Sequence, residues 1–363
     1  MNVLIYGFTG TVLGGIEMFV LNMNEHMSED CVFDYIIDDG ECGFSDRIYK
    51  RGGKIFYIPW IRKHPFGYIK ALWKILGEQK KQGTRVFYYQ LFSMTKLLPA
   101  ILAKVRGYKV ILHAHNNGLQ KVSKTYVLSH KIGKFIARFC GFIHFTNSKL
   151  SSDFMFGKGV KSELIYNAVD TDKFCFSPVV RDSVRDEIGC GDKTVVGFVG
   201  RLVRQKNPVF MIQVFAEFLK LHPNSELWII GEGELQSQME KEMELNNISS
   251  SVKWLGRRED VNRLMQGMDL LLQPSLFEGL GIVLIEAQAT GLPVISSEDV
   301  VPHEAVASEK IQLLPLRESA FFWAEKGLMI IEGNKECERK SVSISKHFDI
   351  TFEAKRLEEL LKS

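Results

Sequence analysis

The sequence lacks several patterns that would place it directly in a functional class. Its six cysteines include no Cys-x-x-Cys pair, which disfavours a zinc site and a disulfide framework and fits a reducing compartment. No apolar run approaches the roughly 18 residues that a membrane-spanning helix needs. No basic leader with a cleavage site precedes the strand-like run at the N-terminus, so we expect a cytoplasmic protein.

The sequence also lacks acidic residues in one long stretch. Residues 1–175 hold 24 Lys and Arg against 14 Asp and Glu, whereas residues 176–363 hold 22 against 29. From Arg47 to Lys161, 23 basic residues face only Glu78 and Asp153. Such a stretch is suited to nucleic acid, anionic lipid or a phosphorylated substrate, or it is only a solvated basic surface.

Short apolar runs alternate with helical patterns along the chain, which is typical of βαβ units around a parallel sheet. The rhythm breaks near residues 166–178 and restarts at TVVGFVG. The sequence therefore predicts an α/β fold with two Rossmann-like domains that face each other across a cleft. We place the domains at residues 1–175 and 176–335, followed by a helical tail at 336–363 that packs back on the first domain or closes the second.

Loops that follow strands are the expected ligand sites, because open parallel sheets bind ligands beyond the carboxyl ends of their strands. The first such loop contains Gly7, Gly10, Gly14 and Gly15, where backbone amides and a helix N-terminus suit an anion. A tight turn without a ligand would look similar. The strict G-x-G-x-x-G pattern is absent, which disfavours a dinucleotide cofactor.

His113 and His115 follow another predicted strand, and their spacing puts both side chains on one side of it. A histidine there can bond a substrate hydroxyl, or it can simply satisfy the loop backbone. A metal site would require further ligands, and no acidic or cysteine cluster accompanies the pair.

Arg201 and Lys206 lie in the loop after TVVGFVG, immediately before a helix that begins near Pro208. Two cations and a helix N-terminus can bind a diphosphate. Gly200 indicates a close backbone approach at this point. The alternative is a solvated basic loop.

Two carboxylates, Glu278 and Glu286, lie in the segment FEGLGIVLIEAQATGLPVI. The pattern predicts a loop that contains Glu278, followed by a helix from Ile282 to Thr290. A carboxylate beside such a helix N-terminus can accept hydrogen bonds from sugar hydroxyls, or it can only complement the helix dipole.

Seven segments together resemble a retaining glycosyltransferase of family four with the glycosyltransferase B fold. They are GGIEMF, HAHN, YNAVDTDKF, GFVGRLVRQKNP, IIGEGEL, WLGRREDV and PSLFEGLGIVLIEAQATGLPVI, which span nearly the whole chain in the family's order. Within the family the chain is most similar to bacterial exopolysaccharide and capsular-polysaccharide transferases.

The resemblance implies a role for each matching residue. Arg201 and Lys206 would bind the nucleotide diphosphate, Glu286 the ribose, and Glu278 the transferred sugar. His115 would contact a sugar hydroxyl near the reacting carbon. Further donor contacts would come from Gly14, Gly15, Gly200, Gly256, Arg257, Gly279, Leu280, Gly281 and Ile282. The acceptor side or the interdomain hinge would involve His113, Asn116 and Asn167.

The resemblance also implies a reaction without a cofactor or a metal ion. No Asp-x-Asp motif appears where a Mg²⁺-bound diphosphate would need it, and Arg201 with Lys206 can replace the cation. The expected route is front-face attack, in which the leaving phosphate helps to deprotonate the acceptor. A double displacement is the alternative, although no second nucleophilic carboxylate is evident.

The expected donor is a uridine diphosphate hexose, with guanine as the alternative base. The expected acceptor is a polyprenyl-diphosphate-linked saccharide, with the basic first half of the chain bound to the anionic inner face of the cell membrane. Alternatives are a hydrolysing epimerase of the same fold and a dehydrogenase, which Asp38 after the second strand would suit. A nucleic-acid-binding protein is disfavoured because Phe87, Tyr88 and Tyr89 lie inside a predicted strand.

Overall fold

A computed structural model describes residues 1–11, 14–38, 40–118, 123–334, 339 and 344–363. The chain divides into two compact units. Unit 1 comprises Met1–Ala168 together with Asp349–Ser363, and unit 2 comprises Val169–Phe348. The boundary between the units therefore lies after Ala168, whereas the sequence pattern predicted it after Cys175.

Both units are built from strands that alternate with helices. The strands of unit 1 are β1 (Asn2–Tyr6), β2 (Val32–Asp38), β3 (Ile55–Ile58), β4 (Val86–Leu91), β5 (Lys109–Ala114), β6 (Ile143–Thr146) and β7 (Glu163–Leu164). The strands of unit 2 are β8 (Thr194–Val199), β9 (Ser225–Ile230), β10 (Val252–Gly256), β11 (Leu270–Gln273), β12 (Val294–Ser297) and β13 (Ile311–Leu314).

The helices follow the same alternation. Those of the first half are α1 (Gly15–His26), α2 (Ser45–Lys50), α3 (Pro65–Lys81), α4 (Leu98–Val105), α5 (Lys124–Ala137) and α6 (Lys149–Met155). The later ones are α7 (Pro178–Ile188), α8 (Pro208–Leu221), α9 (Gln236–Leu245), α10 (Val261–Gly267), α11 (Ile282–Ala289), α12 (Ala320–Asn334) and α13 (Ile350–Lys362). Within the described residues, no helix is both long and apolar enough to cross a bilayer.

The described part of unit 1 forms a parallel sheet with the strand order β3-β2-β1-β4-β5-β6-β7. One side of this sheet packs against α1 and α13. The other side packs against α3 and α4 and against Ala137 of α5. Because the central strands are buried on both sides, they read in the sequence as continuous apolar runs, as VFYYQL does in β4. The strand order reverses between β1 and β4, and this switch point is where such sheets bind ligands.

The C-terminal helix α13 belongs to unit 1. Its Leu357 and Leu361 are buried in the same cluster as Phe19 of α1. Its Glu358 accepts hydrogen bonds from the Ser28 backbone N–H at 2.9 Å and from the Ser28 hydroxyl at 2.6 Å. Of the tail predicted at 336–363, residues 336–338 and 340–343 lie outside the described residues.

Unit 2 repeats the arrangement with the parallel order β10-β9-β8-β11-β12-β13. Its core joins β8 and β9 to α8 and α12, where the Trp323 ring meets Phe210 edge to face at 5.6 Å between centroids. The order reverses between β8 and β11. The loop after β8 contains Arg201 and Lys206, and the loop after β11 contains Glu278. The residues that the sequence assigned to the donor therefore lie at this switch point.

Candidate functional site

Two loops meet at the switch point of unit 2. The Leu276 backbone N–H donates to the carbonyl of Gln205 at 2.8 Å, and Gln205 Nε2 donates to the carbonyl of Phe277 at 3.1 Å. These bonds join the loop after β8 to the loop after β11. The side chains that both loops carry are thereby held in one place.

Lys206 and Glu278 form an ion pair between these loops. Lys206 Nζ lies 2.5 Å from Glu278 Oε1, and the same oxygen accepts a hydrogen bond from the Ser275 hydroxyl at 2.6 Å. The side chains are only 14% and 4% exposed, so each charge depends on the other for its neutralisation. The structure therefore brings together the residues that the sequence assigned to the diphosphate and to the sugar.

Arg201 is less constrained than Lys206. Its side chain is exposed, and its contact with the described residues is a weak one, from Nη2 to Gln205 Oε1 at 3.4 Å. A guanidinium in this setting can turn toward an anion without giving up a strong partner.

The glycines at this end of the sheet serve mainly to pack the loops. Gly200 has φ +153°, and a Cβ on Gly231 would lie 2.0 Å from the carbonyl oxygen of Gly200. Gly200 was predicted to mark a close backbone approach. The neighbouring loop makes one, because Gly231 packs against the Gly200 carbonyl, and this contact requires a glycine at 231.

Glu286 is the unpaired carboxylate of the site. It lies in the second turn of α11, which begins after Gly281 at φ +80°. Within the described part of the chain its carboxylate has no hydrogen-bond or ion-pair partner. Burial raises the pKa of the Glu286 carboxyl to about 7. An unpaired, half-buried acceptor is suited to ligand hydroxyl groups and is costly without them.

The loop after β10 contains two arginines, Arg257 and Arg258, which differ in their contacts. Arg258 is bound to Asp260 at 2.7 Å and to Glu187 at 3.3 Å, so it stabilises the fold of unit 2. Arg257 is exposed. The Gly256 carbonyl accepts from the Gly231 N–H at 2.8 Å and so ties this loop to the loop after β9.

In unit 1 the two predicted histidines lie against each other, with tilted rings, at the carboxyl end of β5. The ring centroids of His113 and His115 are 4.0 Å apart, and the Phe19 ring meets both rings edge on. His113 Nδ1 shares a 2.5 Å hydrogen bond with the Tyr88 hydroxyl, so this ring belongs to the core. Burial lowers the pKa of His113 well below its usual value.

His115 is held by Gln90, the next-to-last residue of the neighbouring strand β4. His115 Nε2 lies 2.7 Å from Gln90 Oε1, which can only accept, so Nε2 carries the proton. Burial lowers the pKa of His115 to about 3, which keeps the ring neutral at physiological pH. The lone pair of Nδ1 is then the available acceptor for a ligand hydroxyl.

The glycine loop after β1 is held by Glu17, a residue to which the sequence analysis assigned no role. Glu17 is buried, and its carboxylate accepts from the Thr9 hydroxyl at 2.8 Å and from the backbone N–H groups of Thr9 and Gly14 at 3.2 Å. A Cβ on Gly14 would lie 2.7 Å from Glu17 Oε2, whereas one on Gly15 would meet nothing within 4 Å. A side chain at position 14 would therefore displace the Glu17 carboxylate, whereas Gly15 faces open space.

Two further predicted residues are Asn116, which directly follows His115, and Asn167. Asn116 Nδ2 makes a long hydrogen bond of 3.4 Å to the Phe92 carbonyl. Asn167 is buried near the end of the first segment of unit 1, and its Oδ1 lacks a partner in the described structure. No group of three or more His, Cys, Asp or Glu side chains suited to a metal ion occurs among the described residues.

Residues 180–341 match the family described as glycosyl transferases group 1. The chain is 26% identical over 337 residues to "Putative glycosyltransferase EpsF" of Bacillus subtilis (strain 168). The match covers 87% of this chain and 84% of that protein. It is 28% identical over 239 residues to an Escherichia coli protein named UDP-Gal:alpha-D-GlcNAc-diphosphoundecaprenol alpha-1,3-galactosyltransferase, over 62% of this chain and 60% of that protein.

A solved structure of Anabaena Alr3699/HepE, in complex with UDP and glucose, resembles the whole chain. Its TM-score is 0.81 at 18% identity, and the match covers 100% of both chains. At this identity the likeness establishes the fold, which is the glycosyltransferase B fold. The resemblance drawn from the motifs is confirmed: residues 180–341 match the group 1 glycosyl transferases, and nearly the whole chain is similar to a protein named as a glycosyltransferase.

Proposed function

We propose that this glycosyltransferase transfers a hexose from a uridine diphosphate sugar, with retention and without a metal ion, to a lipid-linked saccharide in exopolysaccharide or capsule synthesis. The assignment of the donor rests on the ion pair between Lys206 and Glu278. Glu278 lies in the loop that leads into α11, and α11 contains Glu286. Cations for phosphate and acceptors for hydroxyl groups are the groups that a sugar nucleotide needs.

Each group then has one binding task. Lys206 and Arg201 bind the diphosphate, together with the backbone amides of residues 279–282 at the start of α11. The Glu286 carboxylate accepts from the ribose hydroxyls, and its burial strengthens those bonds. Glu278 is fixed by Ser275 and accepts from a hydroxyl of the sugar.

The chemical step breaks the bond between the anomeric carbon and the β-phosphate oxygen. The acceptor oxygen bonds to the same face of that carbon, and its proton passes to the departing phosphate. Negative charge therefore builds on the diphosphate, where Arg201 and Lys206 stabilise it by about 3 kcal/mol each. Two such cations can perform the task that a divalent ion performs elsewhere, which supports a metal-independent reaction.

The names of two similar proteins support the substrates. The Escherichia coli relative is named for UDP-Gal as donor and for a diphosphoundecaprenol-linked sugar as acceptor. The Anabaena structure is a complex with UDP and glucose. We take from these a uridine nucleotide and an acceptor carried by a polyprenyl diphosphate, and we place the enzyme at the cytoplasmic face of the membrane.

A donor screen tests this proposal. Thermal stabilisation and slow hydrolysis are measured with uridine and guanosine diphosphate sugars, in buffer with and without a chelator of divalent ions. The proposal expects stabilisation by a uridine diphosphate hexose that the chelator leaves unchanged. Stabilisation by guanosine nucleotides alone would overturn the base assignment, and loss of activity with the chelator would overturn metal independence.

Retention is tested separately on the product. Nuclear magnetic resonance of the newly formed linkage gives its anomeric configuration, which we expect to match that of the donor sugar. An inverted product would contradict front-face attack and double displacement alike.

A further inference from the structure

The two cations assigned to the diphosphate are not equally available to it. Among the described residues, the exposed Arg201 guanidinium contacts the Gln205 side chain at 3.4 Å, which is a weak contact. The Lys206 ammonium is bound to the Glu278 carboxylate at 2.5 Å, and both of these side chains are nearly buried. With little solvent between them, the negative charge of Glu278 cancels most of the field of Lys206. A diphosphate that approaches this site is therefore attracted mainly by Arg201.

Glu278 has a second partner, which is independent of Lys206. The Ser275 hydroxyl, in the same loop, is fully buried and donates to the same carboxylate oxygen at 2.6 Å. Because this oxygen accepts from both groups, the carboxylate keeps one donor if the ammonium moves away. A neutral hydroxyl replaces a cation only in part, so a further donor from a ligand is needed to complete the replacement.

The Lys206 side chain can move while its backbone stays in place. The Lys206 N–H donates to the Val203 carbonyl at 2.9 Å, which fixes the main chain of the loop. The lysine stem lies over Gly200, since a Cβ there would lie 3.5 Å from the Lys206 Cε and 3.6 Å from its Cγ. A flexible four-carbon stem can carry its ammonium to a neighbouring anion by rotation of side-chain bonds alone.

We propose that Glu278 keeps the charge of Lys206 from a diphosphate until a hydroxyl of the donor sugar binds the carboxylate. With Ser275 and the sugar hydroxyl as its donors, Glu278 no longer depends on the ammonium, which then turns to the phosphates. We call this change of partners the partner exchange. It rests on the proposed function, which assigns Glu278 to the sugar and Lys206 to the diphosphate, and it adds an order to these two contacts.

The partner exchange lets the enzyme distinguish its donor from its own product. A sugar nucleotide supplies the hydroxyl that occupies Glu278, so both Arg201 and Lys206 act on the leaving phosphate. The nucleoside diphosphate that remains after transfer has no sugar, so Glu278 binds Lys206 again. Release of the product is thereby favoured, although the product carries every phosphate of the donor.

Calorimetric titration with and without the sugar tests the partner exchange. The ligands are uridine diphosphate and a uridine diphosphate hexose, and the variant Glu278→Gln removes the carboxylate charge at nearly unchanged volume. We expect this variant to bind uridine diphosphate about tenfold more tightly than the wild type, because Lys206 is no longer neutralised. The hexose conjugate releases Lys206 already in the wild type and should gain nothing. Unchanged affinity of Glu278→Gln for uridine diphosphate would overturn the proposal.

Glu232→Gln is the matched control for the loss of one negative charge. Glu232 is exposed in the loop after β9, and its carbonyl accepts from the Leu202 N–H at 2.9 Å, so it lies beside the loop that contains Lys206. Its replacement should change the affinity for uridine diphosphate by less than about twofold, because an exposed charge is screened. An equal gain in Glu232→Gln and Glu278→Gln would show that net charge governs the affinity and would overturn the proposal.

Ser275 is a positioning residue that should act through Glu278. Ser275→Ala leaves the carboxylate more dependent on Lys206, so binding of uridine diphosphate should weaken about threefold. In the Glu278→Gln background the same substitution should leave this affinity unchanged, because no negative charge remains to be shared. A loss of equal size in both backgrounds would be a structural effect and would overturn this assignment of Ser275.

Inorganic pyrophosphate separates the partner exchange from the proposed function, because it is a diphosphate without base, ribose or sugar. Glu278→Gln should bind pyrophosphate about tenfold more tightly than the wild type, and its unfolding temperature should rise more with this ligand. A wild type that binds pyrophosphate but no uridine nucleotide would refute the proposed donor and leave the partner exchange intact. Equal affinity of both proteins for pyrophosphate would refute the partner exchange and leave the proposed function intact.

Discussion

Lys206 and Glu278, 72 residues apart in the sequence, form a 2.5 Å ion pair between the two loops at the switch point of unit 2. The pair is nearly buried, so its two charges cost free energy unless each stabilises the other. A diphosphate would give Lys206 a second anion, and a sugar hydroxyl would give Glu278 a second donor. The pair therefore holds both side chains in position before the donor arrives.

Breaking this pair from one side should destabilise unit 2. Lys206→Met leaves the Glu278 carboxylate buried with Ser275 as its remaining partner, which should cost about 3 kcal/mol of unfolding free energy. The double variant Lys206→Met, Glu278→Gln should recover most of this stability, because no unpaired charge is left. Chemical denaturation of the four proteins of the cycle measures the coupling, and additive effects would contradict the pairing. Neither Lys206→Met nor the double variant should bind the nucleotide sugar, because both lack the Lys206 ammonium group.

Glu286→Gln should stabilise the protein at alkaline pH while it weakens donor binding. The folded-state pKa of about 7 lies above the ordinary value of 4.5, so the folded protein holds the proton more tightly than the unfolded chain. The free energy of unfolding then falls as pH rises from about 4.5 to 7 and stays low above that range. Removal of the carboxylate should add on the order of 2 kcal/mol at pH 8 and little near pH 4.5.

Urea denaturation at the two pH values measures this difference. Glu332→Gln, which changes an exposed glutamate of α12, is the matched control and should alter neither value by more than about 0.5 kcal/mol. Equal stability of Glu286→Gln and the wild type at pH 8 would show that the carboxylate is paired.

His115 should remain neutral over the pH range of activity. Its pKa of about 3 means that its ring signals do not titrate between pH 5 and 8 in nuclear magnetic resonance spectra. Gln90→Glu places a carboxylate where Gln90 Oε1 accepts from Nε2, and should raise the pKa of His115 into or above that range. The exposed Gln82→Glu is the control and should change nothing. A wild-type His115 that titrates near 6.5 would contradict the assignment.

Glu17 should fix the glycine loop of unit 1. Glu17→Ala removes the acceptor of three hydrogen bonds from Thr9 and Gly14, and should cost about 2 kcal/mol. Hydrogen exchange at the amides of Thr9 and Gly14 should accelerate in this variant. Glu25→Ala, at an exposed position of the same helix, should leave both rates unchanged. Unchanged exchange in Glu17→Ala would mean that other contacts hold the loop.

The two sheets could be predicted from the sequence because buried parallel strands are continuous apolar runs. The strands β1, β4 and β8 are read directly from NVLIY, VFYYQL and TVVGFV. Helix α5 shows where such reading fails. Its apolar periodicity indicates an amphipathic helix, but only the tertiary packing decides that Gly133 and His130 face inward.

The individual residues of the candidate site could be predicted from the sequence, but the contacts between them could not. Lys206 and Glu278 were identified by the chemistry that their loops suit, but their contact depends on β8 and β11 being neighbours in the sheet. Gln90 was missed for the same reason, since it meets His115 across two adjacent strands. Glu17 had a local signal, because its position three residues after Gly14 is the spacing of a capping box.

The central claim is that Lys206, Glu278 and Glu286, at the switch point of unit 2, bind the nucleotide sugar. Calorimetric titration with a uridine diphosphate hexose at pH 8 tests it most directly. The wild type and the control Glu332→Ala should bind with equal affinity. Glu286→Ala should bind about 100-fold more weakly, because two charge-assisted hydrogen bonds to the ribose are lost. Unchanged affinity in Glu286→Ala would contradict the assignment of Glu286 to the ribose and, with it, this description of the site.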